Sequence, residues 1–393
     1  MSPRRATPFA LALLLLAGAC GDDDGGGSIA PVPAPTGTPT PTTPTPTPPT
    51  TSVTQNAVAT FDNPWAMVFL PDGRMLVTEK PGRLRIVTTT GTVSAAVAGV
   101  PAVAFAGQGG LQDVVLDPQF ATNNRVYLSY AEAGSGGKGL AVARGTLVTD
   151  GTGGRLDNVS VIWRQDPKVS GDGHFGGRMA FSSDRRLFVT AGERQKGAPA
   201  QDLAQTLGKI VRIDPDGAVP STNPFVGRSG AKAEIWTLGH RNPYGLVFAA
   251  DGRLFESEQG PEGGDEFNLI EAGRNYGWPN VSEGNDYGGA PIPRHSTNTA
   301  FTAPLVSWTP VIAPGGMIQY TGTRFAGWTN DFVLAGLVSQ GLVRVRVNGT
   351  TASEVGRLAL GARIREVEQG SDGTLWVLED GARGRLVQLT PAG

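Results

Sequence analysis

The sequence predicts an all-β fold, a six-bladed β-propeller whose blades are four-stranded antiparallel sheets. Three observations carry that prediction. The 393 residues include 56 Gly and 30 Pro, a turn-rich composition that favours strands over helices. No long segment shows a sustained 3.6-residue apolar period. A tight turn leading into a short apolar strand returns across the chain at intervals of roughly 40 to 80 residues, the spacing of propeller blades.

The repeated unit can be read directly. Pro71-Asp72-Gly73-Arg74 leads into Met75-Leu76-Val77-Thr78, and Ser183-Asp184-Arg185-Arg186 into Leu187-Phe188-Val189-Thr190. Ala250-Asp251-Gly252-Arg253 leads into Leu254-Phe255, and Ser371-Asp372-Gly373-Thr374 into Leu375-Trp376-Val377-Leu378. Weaker copies stand at Asn123-Asn124-Arg125 and Thr329-Asn330-Asp331. Asp, Asn and Gly tolerate the backbone angles of a tight turn, and the apolar run that follows reads as a strand. A pair of β-sandwiches is the alternative, but one turn repeated over the whole domain argues against it.

The N-terminal part divides into two segments before the fold. Arg4 and Arg5 precede an apolar run from Phe9 to Leu16, then Ala17-Gly18-Ala19-Cys20. A charged start, a short apolar core and small residues describe an export signal over residues 1–20, too short for a transmembrane helix. The small residues before Cys20 resemble a bacterial lipobox, with Ala17 where that pattern prefers leucine; an ordinary signal peptide is the alternative. The lipobox reading implies an exported protein, periplasmic or held at the outer membrane of a bacterium by a lipid on Cys20. Residues 21–52 are Gly-, Pro- and Thr-rich and read as an extended linker, at about 3.1 Å per residue in its polyproline part. The propeller is expected over 53–393.

Charge and cysteine content exclude some functions. With 33 Lys+Arg against 35 Asp+Glu, the chain lacks the basic excess that nucleic-acid backbones demand. One cysteine permits no internal disulfide and no thiolate metal cluster.

Four segments carry chemistry. His174 lies in Gly171-Asp172-Gly173-His174-Phe175-Gly176-Gly177-Arg178, where glycines allow the imidazole to face a strand mouth and act as a general base near neutral pH. His240-Arg241-Asn242-Pro243 offers a guanidinium fork and an amide, suited to a carboxylate or a developing oxyanion; His240 reads as structural. Glu258 to Asn268 combines glycines with acidic and carbonyl oxygens, donors for a hard cation such as Ca²⁺. Arg363 and Arg365 alternate along a strand, so both face one side and imply an anionic partner. Taken singly, each also has a bland reading: a turn histidine, a packed loop, a solvated acidic loop, surface arginines.

Together these segments resemble the soluble quinoprotein sugar dehydrogenases, in the aldose-oxidising branch that uses pyrroloquinoline quinone (PQQ). The resemblance runs from about Val58 to Gln388. It includes Asn63-Pro64-Trp65-Ala66, Gly107-Gln108-Gly109-Gly110-Leu111, the His174 and Arg241-Asn242 segments, Glu258-Gln259-Gly260-Pro261, Asn275-Tyr276-Gly277-Trp278-Pro279 and Arg363-Ile364-Arg365. It implies His174 as the base on the sugar C1 hydroxyl and Arg241 and Asn242 at the quinone end of PQQ. It also implies Gln108, Arg363 and Arg365 as cofactor contacts, the carbonyls of Gly260 and Pro261 as ligands of a calcium beside PQQ, and Glu266 and Tyr276 at a second calcium. A lysine of the glucose-oxidising relatives is replaced here by Ser339, followed by Gln340; Gly173 stands where those relatives have an aspartate. Both departures point to the broad-specificity aldose branch.

The expected activity is oxidation of aldoses to lactones, with electrons passed to an external quinone or cytochrome. No strand–GxGxxG–helix unit supports nicotinamide. A Ca²⁺-dependent lactonase or other hydrolase and a non-catalytic surface-binding propeller are the competing readings.

Overall fold

The computed structural model describes residues 52–151 and 153–392. The signal segment, the Cys20 site and nearly all of the linker lie outside the described residues.

Six antiparallel sheets are arranged as the blades of a propeller. Their innermost strands are Pro64–Phe69, Leu111–Leu116, Gly176–Phe181, Pro243–Phe248, Pro314–Gln319 and Ile364–Gln369. Each inner strand lies against the next, and Ile364–Gln369 returns to Pro64–Phe69. The ring closes through the chain ends: the N-terminal strand Val53–Phe61 pairs with the C-terminal strand Gly384–Pro391 as the outer edge of the last blade. Every turn singled out in the sequence connects an inner strand to the second strand of its own blade. The repeat is thus one structural event seen six times.

Five blades have four strands, and the blade beginning at Pro64 has three. Its fourth strand is interrupted because the Ser94 hydroxyl takes the Ile86 N–H at 2.9 Å. Backbone bonds continue only at intervals, from Ser94 N to the Ile86 carbonyl and from Val97 N to that of Leu84.

Blades pack face to face through their apolar rows. Trp65, Leu76 and Leu84 of one blade meet Leu111, Val126 and Leu128 of the next; burial of each such side chain contributes about 1.5–3 kcal/mol. Because inner strands all run the same way, their first residues and the last residues of the second strands share one face. That face carries the chemistry.

Candidate active site

His174 precedes the inner strand Gly176–Phe181, and Glu193 follows the second strand Leu187–Ala191 of the same blade. The backbone at His174 is left-handed, with φ 48°. A Cβ at residue 192 would lie 2.3 Å from the His174 carbonyl, so only glycine lets the Glu193 segment come this close. The ring Nδ1 is 2.5 Å from Glu193 Oε1. The other Glu193 oxygen accepts the N–H of Gly197 at 2.6 Å and that of Lys196. A carboxylate held this way only accepts, so Nδ1 carries the proton and the Nε2 lone pair is left for other work. No described residue hydrogen-bonds to Nε2.

Electrostatics agree with that tautomer. Burial, then the field of Arg241, hold the His174 pKa below its ordinary value, against the opposing effect of Glu193. Burial raises the Glu193 carboxyl, but the His174 ring and the two backbone N–H groups outweigh it and hold it below the usual range. At neutral pH the site therefore holds a neutral imidazole beside a carboxylate. Asp172, two residues before the histidine, plays no part in this pair; its carboxylate bonds to Lys138.

Gln108, from the loop before the inner strand Leu111–Leu116, joins the site through one oxygen. Its Oε1 accepts the His174 N–H at 2.7 Å and the Tyr244 hydroxyl at 3.2 Å. Tyr244 is buried, its ring edge-on to Trp65 at 5.8 Å and 5.6 Å beneath the Arg365 guanidinium.

The Arg241 and Asn242 backbones are both fixed by Glu258, whose Oε2 accepts their N–H groups at 2.5 and 3.3 Å. The Arg241 side chain makes no ion pair with any described residue. Its Nη1 donates to the carbonyls of Gln259 and Gly260 at 2.9 and 2.7 Å, and its Nη2 to the Tyr287 hydroxyl at 2.9 Å. Its buried Nε has no partner. Asn242 donates to Gln259 Oε1 and accepts the Gly176 N–H, both at 3.3 Å, which joins this segment to the histidine blade.

Arg363 and Arg365 converge as their alternation requires. Both guanidinia hold Asp380, Arg363 through Oδ2 at 3.1 Å and Arg365 through Oδ1 at 2.9–3.0 Å. Burial raises the Asp380 carboxyl, but Arg365 and then Arg363 outweigh it and keep it low. Arg365 is buried and Arg363 half open. Ser339 has a buried hydroxyl without a partner.

The residues proposed for cation binding lie beside Arg241. A small cavity of about 10 Å³, the size of one water or one ion, is lined by Glu258, Gly260, Glu266 and Tyr276 among others; Pro261 is buried next to it. A Cβ on residue 260 would stand 2.3 Å from the carbonyl oxygens of Gly263 and Gly264, so carbonyl oxygens are concentrated at this turn. Glu258 opposes Glu266 across adjacent strands, and Glu256 opposes Asn268. Burial and the Glu258 charge push the carboxyls of Glu256 and Glu266 well above the usual range. Asn268 Nδ2 donates to Glu256 at 3.0 Å and Glu266 at 3.3 Å, while Glu256 Oε1 and Asn268 Oδ1 stay buried without partners. His240, Glu256 and Glu258 bring ligand atoms within 4.8 Å of one another. Excess buried carboxylate beside carbonyls is a donor set that fits a hard divalent cation. The Tyr276 hydroxyl is already engaged, donating to the Leu269 carbonyl at 2.6 Å and accepting the Glu271 N–H at 3.0 Å. His240 stacks on the Tyr276 ring at 4.8 Å, with Thr237 at 2.9 Å and Glu258 at 3.1 Å.

The family model for glucose/sorbosone dehydrogenases matches residues 61–388. The chain belongs to that family. It is similar to the aldose sugar dehydrogenase YliI of Escherichia coli, 40% identical over 337 residues that cover 84% of this chain and 90% of the relative. The apo structure of the soluble Escherichia coli aldose sugar dehydrogenase matches at TM-score 0.83 and 39% identity, over 87% of this chain and 100% of the other. A PQQ-bound aldose sugar dehydrogenase from Streptomyces coelicolor matches at TM-score 0.71 and 28% identity, over 87% and 99%. The chain is therefore an oxidoreductase of the soluble sugar dehydrogenase type.

Sequence reading missed four residues of the candidate site: Glu193, Tyr244, Tyr287 and Asp380. Two of them carried a signal. After the repeated turn, the second strand runs into an acid in Asp72–Glu79, Asp184–Glu193, Asp251–Glu258 and Asp372–Asp380. Those acids meet Arg83 and Arg85, His174, His240, and Arg363 with Arg365, respectively.

Proposed function

We propose that the chain oxidises aldoses at C1 to the lactone, with PQQ as bound cofactor, Ca²⁺ at the acidic turn and an external electron acceptor. The observation that carries this reading is the His174–Glu193 pair, whose unbonded Nε2 shares a face with Arg241, Arg363 and Arg365. PQQ, when bound, supplies the two-electron oxidant that accepts hydride.

The chain's own residues divide the remaining work. His174 Nε2 takes the C1 hydroxyl proton, which frees the oxygen lone pair to form the carbonyl as C1 gives up its hydrogen with both electrons. Glu193 orients the ring and stabilises the imidazolium that results. Arg241 and Asn242 place donors opposite the negative charge that grows on the oxidant. Arg363 and Arg365 suit the carboxylates of PQQ, and Gln108 holds the His174 backbone. The Gly260 and Pro261 carbonyls would hold one Ca²⁺, and Glu266 a second, with Tyr276 contributing through its backbone carbonyl because its hydroxyl is engaged by Leu269 and Glu271. The signal and Cys20 features support an exported, lipid-anchored enzyme.

A visible-absorbance titration of the apoprotein with PQQ and Ca²⁺ tests the reading against a PQQ-independent lactonase. Saturable binding is expected; lactone hydrolysis without any PQQ binding would overturn it.

A further inference from the structure

Lys80 stands on the same face and has no role so far. It follows the second strand Met75–Glu79 of the three-stranded blade. Its N–H donates to the Asn63 carbonyl at 2.9 Å, and its carbonyl accepts the Leu111 N–H at 2.9 Å. The residue is thereby fixed between two blades at the mouth of the ring. A Cβ at residue 110 would lie 2.2 Å from the Lys80 carbonyl, so the approach depends on Gly110.

The side chain turns toward the site. Nζ donates to the Gly107 carbonyl at 2.7 Å, one residue before Gln108, and lies 5.7 Å from the ring centre of the exposed Phe105. Lys80 makes no ion pair with any described residue, and two of its three ammonium donors are uncommitted. Burial and then the field of Arg365 lower its pKa, and Asp380 opposes them, which places the ammonium on the Arg363–Arg365 side of the pocket.

Charge balance gives that position a meaning. Arg241 has no acidic partner, Arg363 and Arg365 share the single Asp380 carboxylate, and Lys80 has none. Glu193 and Arg194 adjoin and offset each other, and His174 is neutral. Four cations thus share one directly paired carboxylate, which leaves the mouth of the pocket rich in positive charge and suited to a polycarboxylate ligand. We propose that Lys80 is a third cationic contact for a carboxylate of the bound cofactor, reaching it from the Gln108 side, opposite Arg241. This inference rests on the reading of the pocket as a PQQ site.

The test compares PQQ binding by absorbance titration for wild type, Lys80→Met and Lys80→Arg in saturating Ca²⁺, at low and high salt, with melting temperatures as the fold control. Loss of one charge-assisted contact should weaken Lys80→Met about tenfold, while Lys80→Arg stays within about threefold. Salt should weaken wild type more than Lys80→Met, because the screened contact is already gone in the variant. Equal affinity of Lys80→Met and wild type overturns the proposal. Equal weakening of both variants also overturns it, since that is the signature of packing on Phe105. Wild type that binds no PQQ overturns the cofactor reading together with this one, so the two failures are distinguishable.

Discussion

Replacing Glu193 by Gln changes one atom and tests the role of the histidine. The His174–Glu193 contact is 2.5 Å long and buried, and such a charge-assisted bond contributes about 1.5–3 kcal/mol. At about 1.4 kcal/mol per decade of rate, its loss alone is worth roughly 10- to 100-fold. The tautomer makes the loss larger. The Gly197 and Lys196 N–H groups hold Oε2, so a glutamine keeps its oxygen there and turns its NH₂ toward Nδ1. The imidazole must then carry its proton on Nε2, where the base is needed. Loss of general-base catalysis brings the expected fall in kcat to about 10²–10⁴. The pH profile supplies an independent check. His174 has a lowered pKa and Glu193 is the group that raises it, so the acid limb of kcat/KM should lie below about 6.5 in wild type and move further down in Glu193→Gln. Steady-state kinetics of reconstituted enzyme across the acid range measures both. A kcat within twofold of wild type, or a limb that moves to higher pH, would refute the assignment.

Further expectations follow from the same geometry. Tyr244→Phe keeps the ring against Trp65 but removes the 3.2 Å bond to Gln108; kcat/KM should fall by up to about tenfold, the worth of one neutral hydrogen bond, with little change in melting temperature. A larger loss of stability than of activity would make the hydroxyl structural. Ca²⁺ at 100 times its Kd should stabilise the wild type by about 2.7 kcal/mol and Glu266→Gln by less, measured by thermal melts with and without chelator; equal shifts would remove Glu266 from the cation site. Lys209 is fully buried, with its ammonium on the carbonyls of Pro199, Ala200 and Leu207 at 2.8, 3.0 and 2.7 Å. Lys209→Met orphans all three, at about 1–3 kcal/mol each; urea unfolding that matches wild type would contradict this account.

Much of the architecture was legible because the propeller repeats one local event. The turn between inner and second strand needs Asp, Asn or Gly for backbone reasons, so it leaves residue-level traces in every blade. The fourth strands do not: they are outer edges held mainly by backbone pairing, and the break at Ser94 comes from a hydroxyl capturing one N–H. Among site residues, His174, Arg241, Asn242, Arg363 and Arg365 stood in distinctive segments, and the fold brings all five to one face. Glu193 was hidden because its distance from His174 in the chain reflects a whole hairpin. Yet Glu79 and Glu258 close the second strands of their blades, Asp380 stands one residue beyond its strand and Glu193 two beyond, so the same repeat that marks the fold also marks the partner of the base. Tyr244 and Tyr287 had no such mark. Their roles depend on which side chains the ring closure places against them.

The proposed base of the quinone-dependent sugar oxidation is His174, held by Glu193. Dye reduction by apoprotein reconstituted with PQQ and Ca²⁺, with an aldose as substrate, tests it most directly when wild type is compared with His174→Ala. Wild type is expected to show aldose-dependent reduction with lactone as product. His174→Ala is expected to bind PQQ normally, with turnover reduced by at least about 10². Turnover by His174→Ala equal to wild type, or a folded, PQQ-saturated wild type that oxidises no aldose, would contradict it.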